Sequence, residues 1–190
     1  MLICNFELQL AVGSFNLLVR LYEERRLEKI NKPESIKGLK EELRMRSPGE
    51  LVELCLRLSR FKKENKELLT YLLFDSSDEP GYIKSVKSGI DEQFGEINTT
   101  STYFIKKSIR KILRNTKKYI RYSGKKETEV ELLIYFCSKM NQFKPSIHKN
   151  TTLRNLFEKQ IEHIRKTMLS LHEDLQYDYG KEIEELFHIF

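Results

Sequence analysis

The sequence has few residues that interrupt a helix, with 8 glycines and 4 prolines among 190 residues, and it contains no tryptophan. Proline and glycine destabilise helix interiors most, so their scarcity favours long helical segments. One segment, FELQLAV at residues 6–12, alternates apolar and polar positions like a strand. Because no second alternating segment offers it a pairing partner, we interpret it as the start of a helix. The sequence therefore predicts an all-α protein.

Cysteines and long apolar runs are also scarce. Cys4, Cys55 and Cys137 are odd in number, far apart and flanked by apolar residues, which argues against a disulfide framework and against a thiolate-bound metal. We expect buried, reduced thiols. No segment reaches the roughly 18 uninterrupted apolar residues of a membrane span. Glu7 interrupts the apolar N-terminal stretch, which also lacks the basic start of a secretion signal. These features predict a cytoplasmic protein without a transmembrane segment.

The length of the chain suits a single helical domain, residues 1–190, with about seven helices. Short connections between them imply an antiparallel helical bundle or a short α-solenoid. Apolar residues at helical spacing from Leu51 to Leu72 predict one long helix. Residues 1–31 are apolar on more than one face, so they could form an arm helix that packs on the core or on a second copy in a homodimer.

Two capping boxes mark predicted helix starts. In the motif SPGE at residues 47–50, Ser47 can cap the helix, the proline fits its first turn, and Glu50 completes the box. Thr128 and Glu131 have the same spacing shortly after Gly124, which suits the end of the preceding helix.

A weak internal similarity bears on the choice between bundle and solenoid. The segment KKENKELLTYLLF at residues 62–74 resembles KKETEVELLIYFC at residues 125–137. Two stacked pairs of helical hairpins could produce such a repeat. Because Leu-Leu and Lys-Lys-Glu recur easily in a lysine-rich helical protein, we interpret the similarity as coincidence.

The one strong local feature is residues 106–126, which contain ten of the 34 lysines and arginines and no acidic residue. The rest of the chain has 24 basic against 28 acidic residues, so the net charge of +6 originates in this segment. On a helix, its isoleucines share one arc of roughly 120°, and its charges occupy the opposite arc. The basic residues are Lys106, Lys107, Arg110, Lys111, Arg114, Lys117, Lys118, Arg121, Lys125 and Lys126.

Such a basic face is typical of a surface that binds a polyanion. Neutralising phosphates would release counterions and offset the repulsion between like charges at i,i+4. Tyr103, Tyr119 and Tyr122 flank or interleave with the charges and could stack on unpaired bases. RNA or single-stranded nucleic acid is therefore the expected ligand class, in preference to a specific DNA duplex.

A second interpretation of the basic face is pairing with acidic side chains, from this chain or from a protein partner. The segment EDLQYDYGKEIEE at residues 173–185 has six acids against Lys181 alone, so a C-terminal helix could neutralise the basic face. Solvation without any ligand is a common outcome for such a face. A membrane-surface helix is less favoured, because the isoleucine arc is needed for the core.

Motifs for catalysis are missing from the sequence. Glu185 and His188 form one Glu-x-x-His pair, but His163 has Gln160 at the matching position, so a di-metal set is incomplete. There is no phosphate-binding glycine loop and no nucleophile elbow. We therefore expect a non-catalytic binding protein without metal or cofactor, with a protein interaction scaffold as the alternative and an enzyme of unknown reaction as the next.

Overall fold

The computed structural model describes residues 32–187, which are almost entirely helical and contain no strand, as the all-α prediction requires. There are about eight α-helices in this part of the chain, rather than seven. They are α1 (Ile36–Arg44), α2 (Pro48–Phe61), α3 (Lys63–Thr70), α4 (Glu79–Gly95), α5 (Thr102–Ser123), α6 (Lys126–Gln142), α7 (Thr151–Met168) and α8 (Glu173–Phe187). A π-helical turn, Tyr71–Asp75, follows α3, and a 3-10 turn, Ile147–Lys149, precedes α7.

The chain divides into two units, Met1–Arg57 and Leu58–Phe190. In the first unit, the described residues form α1 and most of α2, and neither helix contains a buried residue. Cys55 on α2 is therefore exposed, so the expectation of a buried thiol is wrong at this position, whereas Cys137 in the second unit is buried. Cys4 and the predicted arm at residues 1–31 lie outside the described residues.

The two predicted capping boxes have different outcomes. The Glu50 carboxylate accepts a hydrogen bond from the Ser47 backbone N–H at 2.8 Å, and the Ser47 hydroxyl accepts one from the Glu50 N–H at 3.4 Å, so the first box is confirmed. The second box is wrong. Helix α6 begins earlier, at Lys126, which places Thr128 inside the helix. The Thr128 side chain is buried there and donates to Glu79 instead.

The long helix predicted from Leu51 to Leu72 is also wrong, because it is interrupted at Lys62. The backbone of Lys62 is extended (φ −141°, ψ 142°), so α2 ends before this residue and α3 starts after it. The side-chain amide of Asn65 donates to the carbonyl of Leu58 at 2.9 Å, which provides a partner for one of the carbonyls that the helix end leaves unpaired. This interruption raises the number of helices.

Helix α6 is the centre of the second unit. It packs against α4, α5, α7 and α8, an arrangement typical of a bundle rather than of a solenoid in which each repeat contacts only its neighbours. No described side chain from Thr128 to Met140 is exposed. The fully buried side chains of α6 include Val130, Leu132, Leu133, Phe136, Cys137 and Met140. Burial on nearly all sides makes α6 the element on which the other helices are aligned.

The substitution Phe136→Ala is expected to lower the free energy of unfolding by about 3–5 kcal/mol, because it leaves a cavity among buried side chains. The Phe136 ring is 0 % exposed and lies 5.8 Å from the ring of Phe94. As a control, Phe74→Ala should change stability by less than about 0.5 kcal/mol, since Phe74 is 72 % exposed. Urea denaturation of the three proteins measures both values, and similar losses in the two variants would contradict this account of the core.

A half-buried carboxylate connects the start of α4 with the junction between α5 and α6. Glu79 accepts hydrogen bonds from the hydroxyls of Ser123 (2.5 Å), Thr128 (2.5 Å) and Tyr71 (2.8 Å), and the Lys125 ammonium lies 3.0 Å from it. Burial by itself raises the pKa of Glu79, but these four donors outweigh it and lower the pKa to about 2. The ionised carboxylate therefore stabilises the fold and fixes where α5 ends.

The substitution Glu79→Gln should destabilise the protein in a way that depends on pH. The folded-state pKa of about 2 lies below the ordinary value of 4.5. The stability that the ionised form contributes, roughly 3 kcal/mol, is thus present above pH 4.5 and is lost as the pH falls towards 2. The difference in unfolding free energy between variant and wild type should be large at pH 7 and much smaller at pH 3. A difference that is the same at both pH values would contradict this.

Candidate functional site

Helix α5 buries the predicted apolar face and leaves the basic face outside. Its start is capped by Ser101, whose hydroxyl accepts from the Tyr103 N–H at 3.2 Å, and its end is Gly124 in the left-handed conformation (φ 68°). The buried residues of the helix are Ile105, Ile109, Ile112, Leu113, Thr116 and Ile120. These residues are those that the helical spacing assigned to the core. The 22-residue helix is about 33 Å long, so its basic face extends across the unit.

Seven of the ten basic residues have no carboxylate within salt-bridge distance in the described part of the chain. We call these seven the free basic face. They are Lys106, Lys107, Arg110, Lys111, Arg114, Lys117 and Arg121. Lys106 and Lys117 are half-buried, and the other five are exposed. The N-terminal end of α5 also lacks an acidic residue in its first turn, so nothing there offsets the positive end of the helix dipole.

The other three predicted basic residues are occupied by carboxylates of the same unit. The pairs are Lys118–Glu67 at 2.6 Å, Lys125–Glu79 at 3.0 Å and Lys126–Glu129 at 3.1 Å. The Lys118 side chain is only 17 % exposed. Burial raises the pKa of Glu67, but hydrogen bonds from Lys118 and Tyr122 outweigh it, so the net change is a lower pKa. Lys118 and Lys125 therefore hold the C-terminal end of α5 in place, whereas Lys126 pairs within α6.

A shallow groove of about 430 Å³ runs along the N-terminal part of the free basic face. Its lining is composed of one aromatic and five basic side chains from α5. These are Tyr103, Lys106, Lys107, Arg110, Lys111 and Arg114. Residues three, four, seven and eleven positions apart on a helix share a side, which explains why Tyr103 lies in line with these charges. An elongated anion is the ligand class that matches such a lining.

The three tyrosines proposed for base stacking do not lie in equivalent environments. Tyr103 is 62 % exposed at the start of α5. Tyr119 and Tyr122 are half-buried near its end, where the Tyr122 hydroxyl donates to Glu67 at 2.9 Å and the Lys118 ammonium lies 4.7 Å from the Tyr119 ring centre. Burial, together with the bond to Glu67, raises the pKa of Tyr122. Of these three tyrosines, only Tyr103 has an exposed ring and also lines the groove.

The acidic C-terminal helix does not neutralise α5. Helix α8 packs against α6 and α7, and no carboxylate from its described residues forms a salt bridge with a residue of α5. One of its carboxylates, Glu182, instead has a raised pKa, mainly because of burial. The intramolecular pairing that the sequence allowed between residues 173–185 and the basic segment is therefore absent from the described structure.

A larger concavity, of about 950 Å³, lies on the other side of Tyr119 and Tyr122, between the π-helical turn and α4. Its floor includes Tyr82, whose hydroxyl donates to the Tyr119 carbonyl at 2.9 Å. Burial raises the pKa of Tyr82 above its ordinary range. None of the free basic residues lines this concavity, so it is separate from the groove on α5.

Metal and membrane sites are not found in the described residues. No cluster of three or more histidine, cysteine or acidic side chains could hold a metal ion there, and His188 of the Glu-x-x-His pair lies outside them. Within residues 32–187, every helix is too short or too polar to cross a membrane. No protein-family model matches the chain, and neither a curated protein nor a solved structure resembles it significantly.

Two residues of the site were missed by the sequence analysis. Phe104 is 43 % exposed and packs its ring against Tyr103, with ring centres 5.5 Å apart. The sequence could have predicted the exposure of Phe104, because this residue shares a side of the helix with Lys111, seven residues on, rather than with the isoleucines. Glu67 had no such signal, since 51 residues separate it from Lys118.

Removal of the Lys118 side chain is expected to affect stability, whereas removal of a free basic residue is not. The substitution Lys118→Ala removes the nearer of the two ammonium partners of the half-buried Glu67 carboxylate and leaves the exposed Lys63 at 3.7 Å, which should cost about 1–3 kcal/mol. The control Lys111→Ala, at an exposed position on the same helix, should change stability by less than about 0.5 kcal/mol. Denaturant titration separates these outcomes, and equal stabilities would show that the Lys118–Glu67 pair contributes nothing.

Proposed function

We propose that this protein binds a polyanion, RNA or single-stranded nucleic acid, along the exposed face of α5. The observation that supports the proposal is the free basic face, in which seven lysines and arginines have no carboxylate partner among the described residues. Phosphates spaced along a nucleic-acid strand would supply the missing negative charge. Such binding gains free energy from the release of counterions.

The distribution of acids in the second unit gives the proposal further support. Two carboxylates of α4 and α6 pair with lysines of the same two helices, Glu131 with Lys87 at 2.6 Å and Asp91 with Lys139 at 2.8 Å. These carboxylates neutralise lysines outside α5, while the free basic face stays positive. Like charges spaced at i,i+4 destabilise a helix slightly, so a bound anion would also stabilise α5.

The geometry of α5 suits recognition of a strand rather than reading of a duplex. The helix lies on α6 with its apolar side buried along the whole length, so it is not free to enter a groove as a projecting element. A surface-laid basic helix can follow a flexible backbone by electrostatic contacts alone. Sequence preference is therefore expected to be weak.

Charge reversal tests the proposal directly. A labelled mixed-sequence single-stranded RNA should bind the wild type with a strong dependence on salt. With about five phosphate contacts, the slope of log K against log salt is about −3.5, or roughly 100-fold between 50 and 200 mM. Arg110→Glu combined with Arg114→Glu should weaken binding at 50 mM salt by roughly tenfold or more, and should reduce the magnitude of the slope by about 1.4. Fluorescence anisotropy measures both quantities.

The matched control reverses two exposed lysines in the turn before α7 and on α7, Lys149→Glu with Lys159→Glu, which changes the net charge by the same amount away from α5. This variant should retain most of the affinity and the wild-type slope. Equal losses in the two double variants would point to net charge rather than to the face of α5. Absence of binding by the wild type at either salt concentration would refute the proposal and direct the search to an acidic protein partner.

A further inference from the structure

The exposed aromatic pair at the start of α5 differs from every other aromatic contact in the described second unit. The rings of Tyr103 and Phe104 meet edge to face, with an angle of 71° between their planes. Both rings retain large exposed areas, 62 % for Tyr103 and 43 % for Phe104. The two rings contact each other and both remain largely exposed. The pair therefore forms an exposed aromatic surface at one end of the groove.

A comparison with the other strongly exposed tyrosine of residues 32–187 shows what is particular to Tyr103. Tyr177, on α8, is 64 % exposed, but the Lys181 ammonium lies 4.1 Å from its ring centre, and the surrounding helix is acidic. The cation–π contacts of the described residues involve Tyr119, Tyr122, Tyr135 and Tyr177 and leave the Tyr103 ring uncovered. The positive charges around the Tyr103 ring disfavour a further cation there, and its exposed surface suits an aromatic ligand group attached to an anion.

The spacing of two basic residues from Tyr103 along the helix suits an aromatic group attached to an anion. Lys107 and Arg110 follow Tyr103 by four and seven residues, so they occupy the same side of α5 one and two turns further on. A base stacked on the ring would thus leave its phosphates within the reach of these two side chains, both of which line the groove. A base within a duplex is already stacked and paired, and cannot lie on the ring.

From these observations we infer that Tyr103, in contact with Phe104, is a stacking platform for an unpaired base. This platform makes the ligand of α5 a single strand rather than a duplex, an inference that rests on the proposed polyanion surface. The basic residues supply affinity for any polyphosphate chain. Tyr103 adds a stacking contact that only a strand with accessible bases can make.

The test uses the full-length protein and three probes: a single-stranded RNA of about 12 nucleotides, an RNA duplex of the same length, and inorganic polyphosphate. The substitution Tyr103→Ala should weaken binding of the single strand by about 5- to 150-fold, the range expected for loss of one base–aromatic stack. Binding of duplex and polyphosphate should change by less than about twofold, because the charges are untouched. The control Tyr177→Ala should leave all three affinities unchanged.

A conservative variant provides an optical readout. Because the chain contains no tryptophan, Tyr103→Trp would introduce a single indole at the platform. This variant should bind the single strand as well as the wild type, and its emission should be quenched by the single strand but not by saturating polyphosphate. Quenching by the RNA strand but not by polyphosphate is evidence of a stacked base, since polyphosphate binds the same basic residues without supplying a base.

The outcomes separate the inference from the proposal on which it rests. Equal effects of Tyr103→Ala on the single strand and on polyphosphate, or no effect on either, would overturn the stacking platform while leaving the polyanion surface intact. Failure of the wild type to bind any of the three probes would overturn both.

Discussion

The burial of α6 on nearly all sides is the constraint from which the other features of the second unit follow. Four helices pack against it, and each must direct its apolar side inwards. For α5, whose isoleucines occupy one arc, this leaves a single orientation. Because the basic residues lie on the opposite arc, packing of the core turns them outwards. The basic face is thus fixed by hydrophobic burial, which salt does not screen, and it stays in place whether or not its charges are neutralised.

The two ends of α5 differ in what holds them. Near its C-terminal end, Glu67 binds Lys118 and Tyr122, and Glu79 binds Ser123 and, just beyond the helix, Lys125. These contacts use basic and aromatic side chains as structural groups. The N-terminal half has no corresponding carboxylates within reach in the described chain. The segment is uniformly basic in sequence. In the structure, however, carboxylates hold the C-terminal end of α5, whereas its N-terminal half stays open to a ligand.

Local periodicity predicted the all-α class and the buried face of α5, because both depend on interactions between residues three and four positions apart. Ile83, Val86, Ile90 and Phe94 likewise follow steps of three and four residues and form the buried side of one helix, α4. Predictions failed where the structure depends on contacts between residues that are far apart in the sequence. Thr128 bonds to Glu79, 49 residues earlier, rather than capping its own helix. Cys55 is exposed, as no residue of α2 is buried. The apolar sequence of α2 does not reveal this exposure.

The same distinction explains why the candidate site was only partly predictable. Which residues are basic is a property of the sequence, but which of them are available depends on carboxylates brought by α3, α4 and α6. Lys118 and Lys111 are indistinguishable in sequence terms, yet one is paired at 2.6 Å and the other is exposed without a partner among the described residues. The carboxylates that pair with basic residues of α5 and of the turn after it lie at the C-terminal end of the helix. The side chains that line the groove therefore lie in the part of α5 that these carboxylates do not reach.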